Sequence, residues 1–406
     1  MGRKLFYICG NSESRNYRMK KTLVALLLGS LLILTVNKLG AQSSSDELNA
    51  IQTVVPFLTI APDSRAGAIG DAGVATSPDI YSMHWNPSKF AFIDGKGGFG
   101  ISYSPWLRTL VPDINLAYLS GYKRIDSRQV VASSLFYSSL GDIPFTDNFG
   151  NLQRVFIPTE FAIDAAYARL FGENFSGGIA FRFIYSNLTG GFSSDGTETH
   201  PGVSFAADVS GLYRKETEIL NKNALLSIGF NFSNIGSKMS YSKSKEPDFI
   251  PMNMRVGVGC TFKFDNFNEL TLTTDFNKLL VPTPPKYDPD RNIIAGKDPN
   301  VSVPVAIIQS FFDAPGGLKE ELREITVSMG AEYWYNQQFA IRVGYFYENE
   351  TKGNRKYFTA GAGFRMNILE IDFSYLMPVV QNHPLARTLR FSLSFEFSSL
   401  RNASKG

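Results

Sequence analysis

The sequence predicts an all-β protein: a fourteen-stranded antiparallel transmembrane β-barrel with an N-terminal plug in its lumen. Three observations predict it. Apolar and polar side chains alternate with period two through most of the chain. The alternating segments are about ten residues long, the length a tilted strand needs to cross a bilayer. The gaps between them alternate long and short, as in bacterial barrels, where short turns face the periplasm and long loops face outside.

Composition agrees. The chain has 406 residues, of which 19 % are charged; it carries 33 Phe, 18 Tyr and 35 Gly but only 3 Trp. A low charged fraction with many aromatics and glycines suits half-buried strands. With 40 basic against 37 acidic side chains the formal charge is +3. That near balance argues against a nucleic-acid binder, which shows a basic excess on one face. Three His and two Cys leave little for a zinc cluster or a disulfide scaffold.

Residues 1–41 read as an export signal. Lys20 and Lys21 form a positive start, Leu23 to Val36 an apolar centre, and Leu39-Gly40-Ala41 a small-residue cleavage site. The apolar run is too short to span about 30 Å of hydrocarbon. Met19 is the expected true start, and Cys260 the only cysteine of the mature chain. No later stretch is long and apolar enough for a membrane helix.

Residues 42–96 do not alternate and are expected to form the plug. Leu48, Ile51, Val54, Val55 and Leu58 share one face of an expected short helix over 46–58, with Pro56 ending or kinking it. The following Gly-, Ala-, Asp- and Pro-rich run is dense in turn signals. Ile60, Ile69, Val74, Trp85, Phe90 and Phe92 would be wasted on a solvated tail.

The barrel is expected over 97–397, with a short tail over 398–406. The expected strands are 97–105, 114–123, 129–138, 161–170, 175–186, 203–214, 224–232, 253–264, 269–277, 325–334, 338–348, 357–366, 369–376 and 388–397. An even count is what a closed bacterial barrel requires. Asp164, Arg182, Asp208, Arg255, Asp275, Arg342, Arg365, Asp372 and Arg390 fall on the polar faces. Those charges would be costly in a sandwich core, but they suit a wet lumen. The last strand carries Phe391, Phe395 and Phe397 near the chain end, similar to the terminal signal read by outer-membrane insertion machinery.

One long gap stands apart. Residues 278–324 hold seven prolines, an apolar run over 301–308, and Phe311-Phe312. A loop this long is usually functional. Proline limits the entropy it loses on binding. Ile307, Ile308, Phe311 and Phe312 are the candidate contacts for a docked protein; alternatively the loop folds back to cap its own barrel.

The run Asp63-Ser64-Arg65-Ala66-Gly67-Ala68-Ile69-Gly70-Asp71-Ala72-Gly73-Val74-Ala75, followed by His84-Trp85-Asn86-Pro87, resembles the opening of the PorV family, also called LptO. The resemblance extends from about Leu48 to Phe397. The Trp-Asn-Pro element alone is common among FadL-like barrels; its combination with the fourteen-strand pattern is specific. The family is similar to FadL transporters, which implies a barrel with an N-terminal hatch. It makes Asp71, Gly73, His84, Trp85, Asn86 and Pro87 candidate binding residues of the plug. It implies an outer-membrane component of the type IX secretion system that receives the C-terminal signal domains of secreted cargo. The implied partners are the translocon Sov (SprA), the sortase-like PorU with PorQ and PorZ, and outer-membrane lipids and lipopolysaccharide.

The residues themselves offer little chemistry. No metal-ligand spacing, nucleophile elbow or phosphate loop occurs, so no metal, cofactor or catalytic residue is expected. Asp71, Ser82 and His84 are the best hydrolytic set available, three common residue types in a turn-rich segment. The functional alternatives are a non-enzymatic cargo carrier, a FadL-like transporter of hydrophobic small molecules, and a role in lipopolysaccharide O-deacylation.

Overall fold

A computed structural model describes residues 48–397, apart from 112, 147–148, 192–197, 244–245 and 382. The expected export signal and the C-terminal tail lie outside the described residues.

Among these residues fourteen strands close into an antiparallel barrel. They are β1 (Gly97–Pro105), β2 (Ile114–Arg124), β3 (Gln129–Leu140), β4 (Thr159–Leu170), β5 (Phe175–Asn187), β6 (Gly202–Ile219) and β7 (Lys222–Gly236). Then follow β8 (Asn253–Lys263), β9 (Asn268–Leu279), β10 (Thr326–Tyr335), β11 (Phe339–Tyr347), β12 (Lys356–Met366), β13 (Leu369–Pro378) and β14 (Leu389–Phe397). Each strand pairs with its sequence neighbour, and β1 pairs with β14 from Gly97↔Phe397 to Tyr103↔Phe391, which closes the cylinder. The expected spans agree closely except at β6, which runs to Ile219 rather than 214, and at β7, which spans Lys222–Gly236 rather than 224–232. Alternation stops at Tyr213, but ladder hydrogen bonds do not need an apolar face, so the strand continues with polar side chains.

The outward face is apolar and exposed. Phe181 is 66 % exposed, Phe205 65 % and Ile341 65 %, values that a water-soluble fold would bury and that lipid covers here. Cross-strand aromatic pairs stiffen this belt: Phe99 and Phe395 lie 5.0 Å apart, Phe373 and Phe391 5.3 Å.

The inward face is polar, and several of its charges are paired. Arg182 Nε donates to Asp164 at 2.6 Å, and its guanidinium also faces Asp208 at 3.3 Å. Arg342 joins Glu332 at 2.6 Å and Asp372 at 2.5 Å. Arg65 of the N-terminal segment completes this second network with a two-point contact to Glu332 at 2.9 and 2.7 Å. Such networks offset the cost of removing charge from water only while every member is present.

Residues 48–96 lie inside the barrel. The expected helix over 46–58 does not form across its described part, 48–58. Only Pro56–Thr59 make a single 3-10 turn; the described residues before it form no regular element, with Val54 in a bend and Val55 left-handed at φ 49°. Asn49 N donates to Thr351 O and Val54 N to Phe249 O, so the backbone bonds to the outer loops instead of to itself. The apolar residues are buried nonetheless: Val55, Phe57 and Leu58 join Ile250, Met252, Leu280 and Val281 in one cluster. β-branched residues ahead of a proline gain more from that cluster than from a short helix.

Further on, the plug backbone is pressed against glycines of the wall. A Cβ at Gly344 would stand 2.0 Å from the Gly70 nitrogen, and one at Gly330 2.5 Å from the Ile69 oxygen. These two glycines sit opposite each other on β10 and β11. Together they form a trough that only main chain fits.

Two outcomes test this picture. Gly344→Val is expected to lower the barrel's urea-unfolding stability by about 1–3 kcal/mol through overpacking and to expose residues 60–80 to protease. Equal midpoints and equal cleavage would contradict the seating of the plug. Arg342→Leu leaves Glu332 and Asp372 buried without a partner on β11, and is expected to cost about 3–5 kcal/mol in the same assay.

Candidate functional site

The plug motif is a set of interlocked packing and hydrogen-bonding groups. Asp63 caps the short helix Ser64–Ala68 through Ala66 N at 2.8 Å and accepts from Trp85 Nε1 at 2.7 Å. Trp85 is thereby tied across 22 residues. Gly73 lies against its ring; a Cβ there would approach within 2.3 Å of the indole. The Gly73 and Val74 amides donate to Asp275 Oδ2 at 2.6 and 2.9 Å. Asn86 donates to Val74 O and Gly211 O, accepts from Ser88, and so bridges plug to wall. Pro87 opens the 3-10 turn Pro87–Phe92, where no N–H is needed.

Asp71 and His84 are less constrained. Asp71 has φ +60°, accepts from the Tyr357 hydroxyl at 2.6 Å, and stands 3.7 Å from Arg390. The His84 ring packs among Trp85, Tyr118 and Phe136, and its Nε2 has no hydrogen-bond partner among the described residues. Burial, aided by Arg255 and Arg182, holds this imidazole neutral, with its pKa well below the usual value. Ser82 Oγ is engaged with Asp79 at 3.0 Å. The structure therefore does not join Asp71, Ser82 and His84 into a relay.

Asp63, Arg65 and Lys89, none of them a candidate site residue from the sequence, carry much of the plug's polar chemistry. The Lys89 side chain is fully buried and donates to Gly73 O at 2.9 Å and Thr76 Oγ1 at 2.8 Å. Isolated charges in an otherwise small and apolar run were the available signal. Apart from the Ala66 amide that Asp63 caps, their partners are 10 residues or more away in sequence, too far for a local pattern.

At the long-loop end, the segment between β9 and β10 is folded rather than structureless. It contains a short hairpin, Lys286–Tyr287 with Ile293–Ala295, and the helices Val303–Gln309 and Leu318–Arg323. Ion pairs fasten it down. Lys278 meets Glu321 at 3.0 Å and Glu324 at 2.6 Å, while Lys352 meets Glu320 at 2.6 Å and Glu324 at 3.0 Å. Asn49 Nδ2 donates to Pro284 O and Glu320, which ties the start of the plug segment to the same loop.

The four candidate loop residues divide. Ile307 packs half-buried against the outer apolar cluster. Ile308 is 64 % exposed, Phe312 54 % and Phe311 44 %. Leu318 and Leu322 add further exposed apolar surface on the neighbouring helix. Lys297 Nζ stands 3.9 Å from the centre of the Phe312 ring, which places a cation beside this surface. The loop both caps its own barrel and presents an apolar face.

Among solved structures, the chain is similar to the Pseudomonas putida toluene transporter TodX, with TM-score 0.48 and 11 % identity over 87 % of this chain and 100 % of that one. It is similar to the Ralstonia pickettii toluene transporter TbuX, with TM-score 0.44 and 12 % identity over 83 % and 98 %. A Pseudomonas aeruginosa FadL homologue gives TM-score 0.43 and 12 % identity over 86 % and 99 %. No curated protein sequence matches the chain. The profile described as "Type IX secretion system protein PorV" matches residues 42–286, more than half of the chain. With its closed, plugged outer-membrane barrel, the chain belongs to the PorV family.

Proposed function

We propose that this protein is a non-enzymatic carrier of the type IX secretion system in the outer membrane of a Gram-negative bacterium, exported by the signal at 1–41. It binds the C-terminal signal domain of secreted cargo as that cargo leaves the Sov (SprA) translocon. It then diffuses in the membrane and delivers the cargo to the attachment complex of PorU, PorQ and PorZ.

The observation that carries this reading is the apolar face of the β9–β10 loop. Ile308, Phe311 and Phe312 are exposed, yet the loop beneath them is held by buried ion pairs. A rigid apolar face loses little conformational entropy when a folded domain docks on it. A lumen packed with plug side chains and paired charges supports a role at the surface over passage through the barrel. Delivery needs no bond to be made or broken by the carrier itself.

The test uses the full-length tagged protein recovered from outer membranes. The double variant Ile308→Asp, Phe312→Asp is expected to reduce co-purified cargo signal domain about tenfold or more, as loss of central apolar anchors does elsewhere. Barrel abundance and heat-modifiable migration should stay the same. Undiminished cargo recovery on a folded barrel would remove this face from the carrier role.

A further inference from the structure

The lipid-facing wall carries an open groove of about 910 Å³ across β1 to β4, toward the short-turn end of the barrel. It follows from side-chain size along the outward rows. Gly121 on β2, Ser133 on β3 and Ala165 on β4 stand side by side in register. One outward row nearer the long loops stand Leu119, Leu135 and Ile163, all exposed. The small row is the floor, and the branched row is its bank. The β2–β3 ladder runs from Ile114↔Leu140 to Arg124↔Val130 without a break, so the groove is a depression in the outer surface and not an opening into the lumen. The Ser133 hydroxyl donates to Asp164 O at 2.8 Å, which removes the one side-chain donor from the floor.

Cations stand at the short-turn end of this groove. Lys123 is the next outward residue after Gly121 and lines the groove. Arg169 points outward on β4, opposite Gln129 of β3. Both are exposed, as is Arg128 in the turn between β2 and β3, and none of the three forms an ion pair among the described residues. Asp126, the one acid of that turn, uses its oxygens for the Arg128 and Gln129 amides and the Gln129 side chain. The rim is therefore cationic where the apolar belt ends and lipid head groups begin. Inside hydrocarbon there is no hydrophobic force to favour one apolar neighbour over another, so a groove selects by close contact and its rim by charge. An anion joined to an apolar chain at this depth is a phospholipid. Lys123 offers three donors on a flexible stem and Arg169 a planar fork, a pair suited to phosphate oxygens.

We infer that this groove holds one phospholipid with a net negative head group, drawn from the periplasmic leaflet. Its phosphate sits at Lys123 and Arg169, and one acyl chain lies along Gly121 and Ser133. A zwitterionic head group brings its own cation to the same rim and loses part of the attraction. The inference rests on the barrel's placement in lipid and not on the cargo-carrier reading.

The test is native mass spectrometry of the full chain released from detergent micelles, with three probes at equal concentration. They are palmitoyl-oleoyl phosphatidylglycerol, the matching phosphatidylethanolamine, and palmitoyl-oleoyl glycerol, which lacks phosphate. One phosphatidylglycerol per chain is expected, retained about fivefold or more over either other probe. The double variant Lys123→Gln, Arg169→Gln should bring the three probes level. Ser133→Leu fills the floor and leaves both cations in place; it should cut phosphatidylglycerol retention about fivefold or more. Heat-modifiable migration reports whether each variant folds, and the preference of the unaltered protein is read without either. Equal retention of the three probes by the unaltered protein, a preference that survives the double variant, or undiminished retention in Ser133→Leu would overturn the inference. So would a dimer mass that Ser133→Leu returns to monomer, which would put a second copy of this chain in the groove.

Discussion

The structure rests on one constraint: in hydrocarbon no water is present to satisfy a backbone N–H or C=O. A sheet can meet that demand only by closing on itself. The pairing of β1 with β14 is the contact that does so, and Gly97↔Phe397 through Tyr103↔Phe391 complete the ring of ladders. Once the ring is closed, each strand has one face toward lipid and one toward the lumen. The period-two pattern of the sequence is the direct consequence.

A fourteen-stranded cylinder is too wide for its own side chains to fill. Here the space is taken by residues 48–96, and the wall is shaped to receive them. Gly330 and Gly344 let the main chain at Ile69–Gly70 touch the sheet, while Asp275, Ser392 and Thr359 of the wall hydrogen-bond to plug amides. Arg65 enters the wall's own charge network at Glu332. Plug and barrel thus share one set of buried partners, and loosening either leaves charges of the other unmet.

The long-loop end follows different rules. The backbone there lies near water, so the β9–β10 segment can fold into turns and short helices. Its position is set by Lys278 and Lys352, which converge on Glu324. This arrangement holds Ile308, Phe311 and Phe312 outward while Ile307 and Ala306 pack inward. Which side chains remain uncovered at this end depends on contacts between segments far apart in the chain.

The sequence by itself determined the architecture. Alternation reveals strands because lipid and lumen impose opposite chemistry on neighbouring residues, and the sorting of loop lengths reveals the two ends. The motif around Trp85 marked the plug, but its roles depend on partners such as Asp63, Asp275 and Gly211, drawn from three different parts of the chain. The expected helix over 46–58 failed because its apolar face found better partners in the outer loops than in its own turns. Tertiary contacts settle that Ile307 turns inward and that Asp71, Ser82 and His84 form no relay. Periodicity is a local property, carried in neighbouring residues. Pairing of buried charges and the filling of a lumen are long-range, and they exist only when the ring has closed.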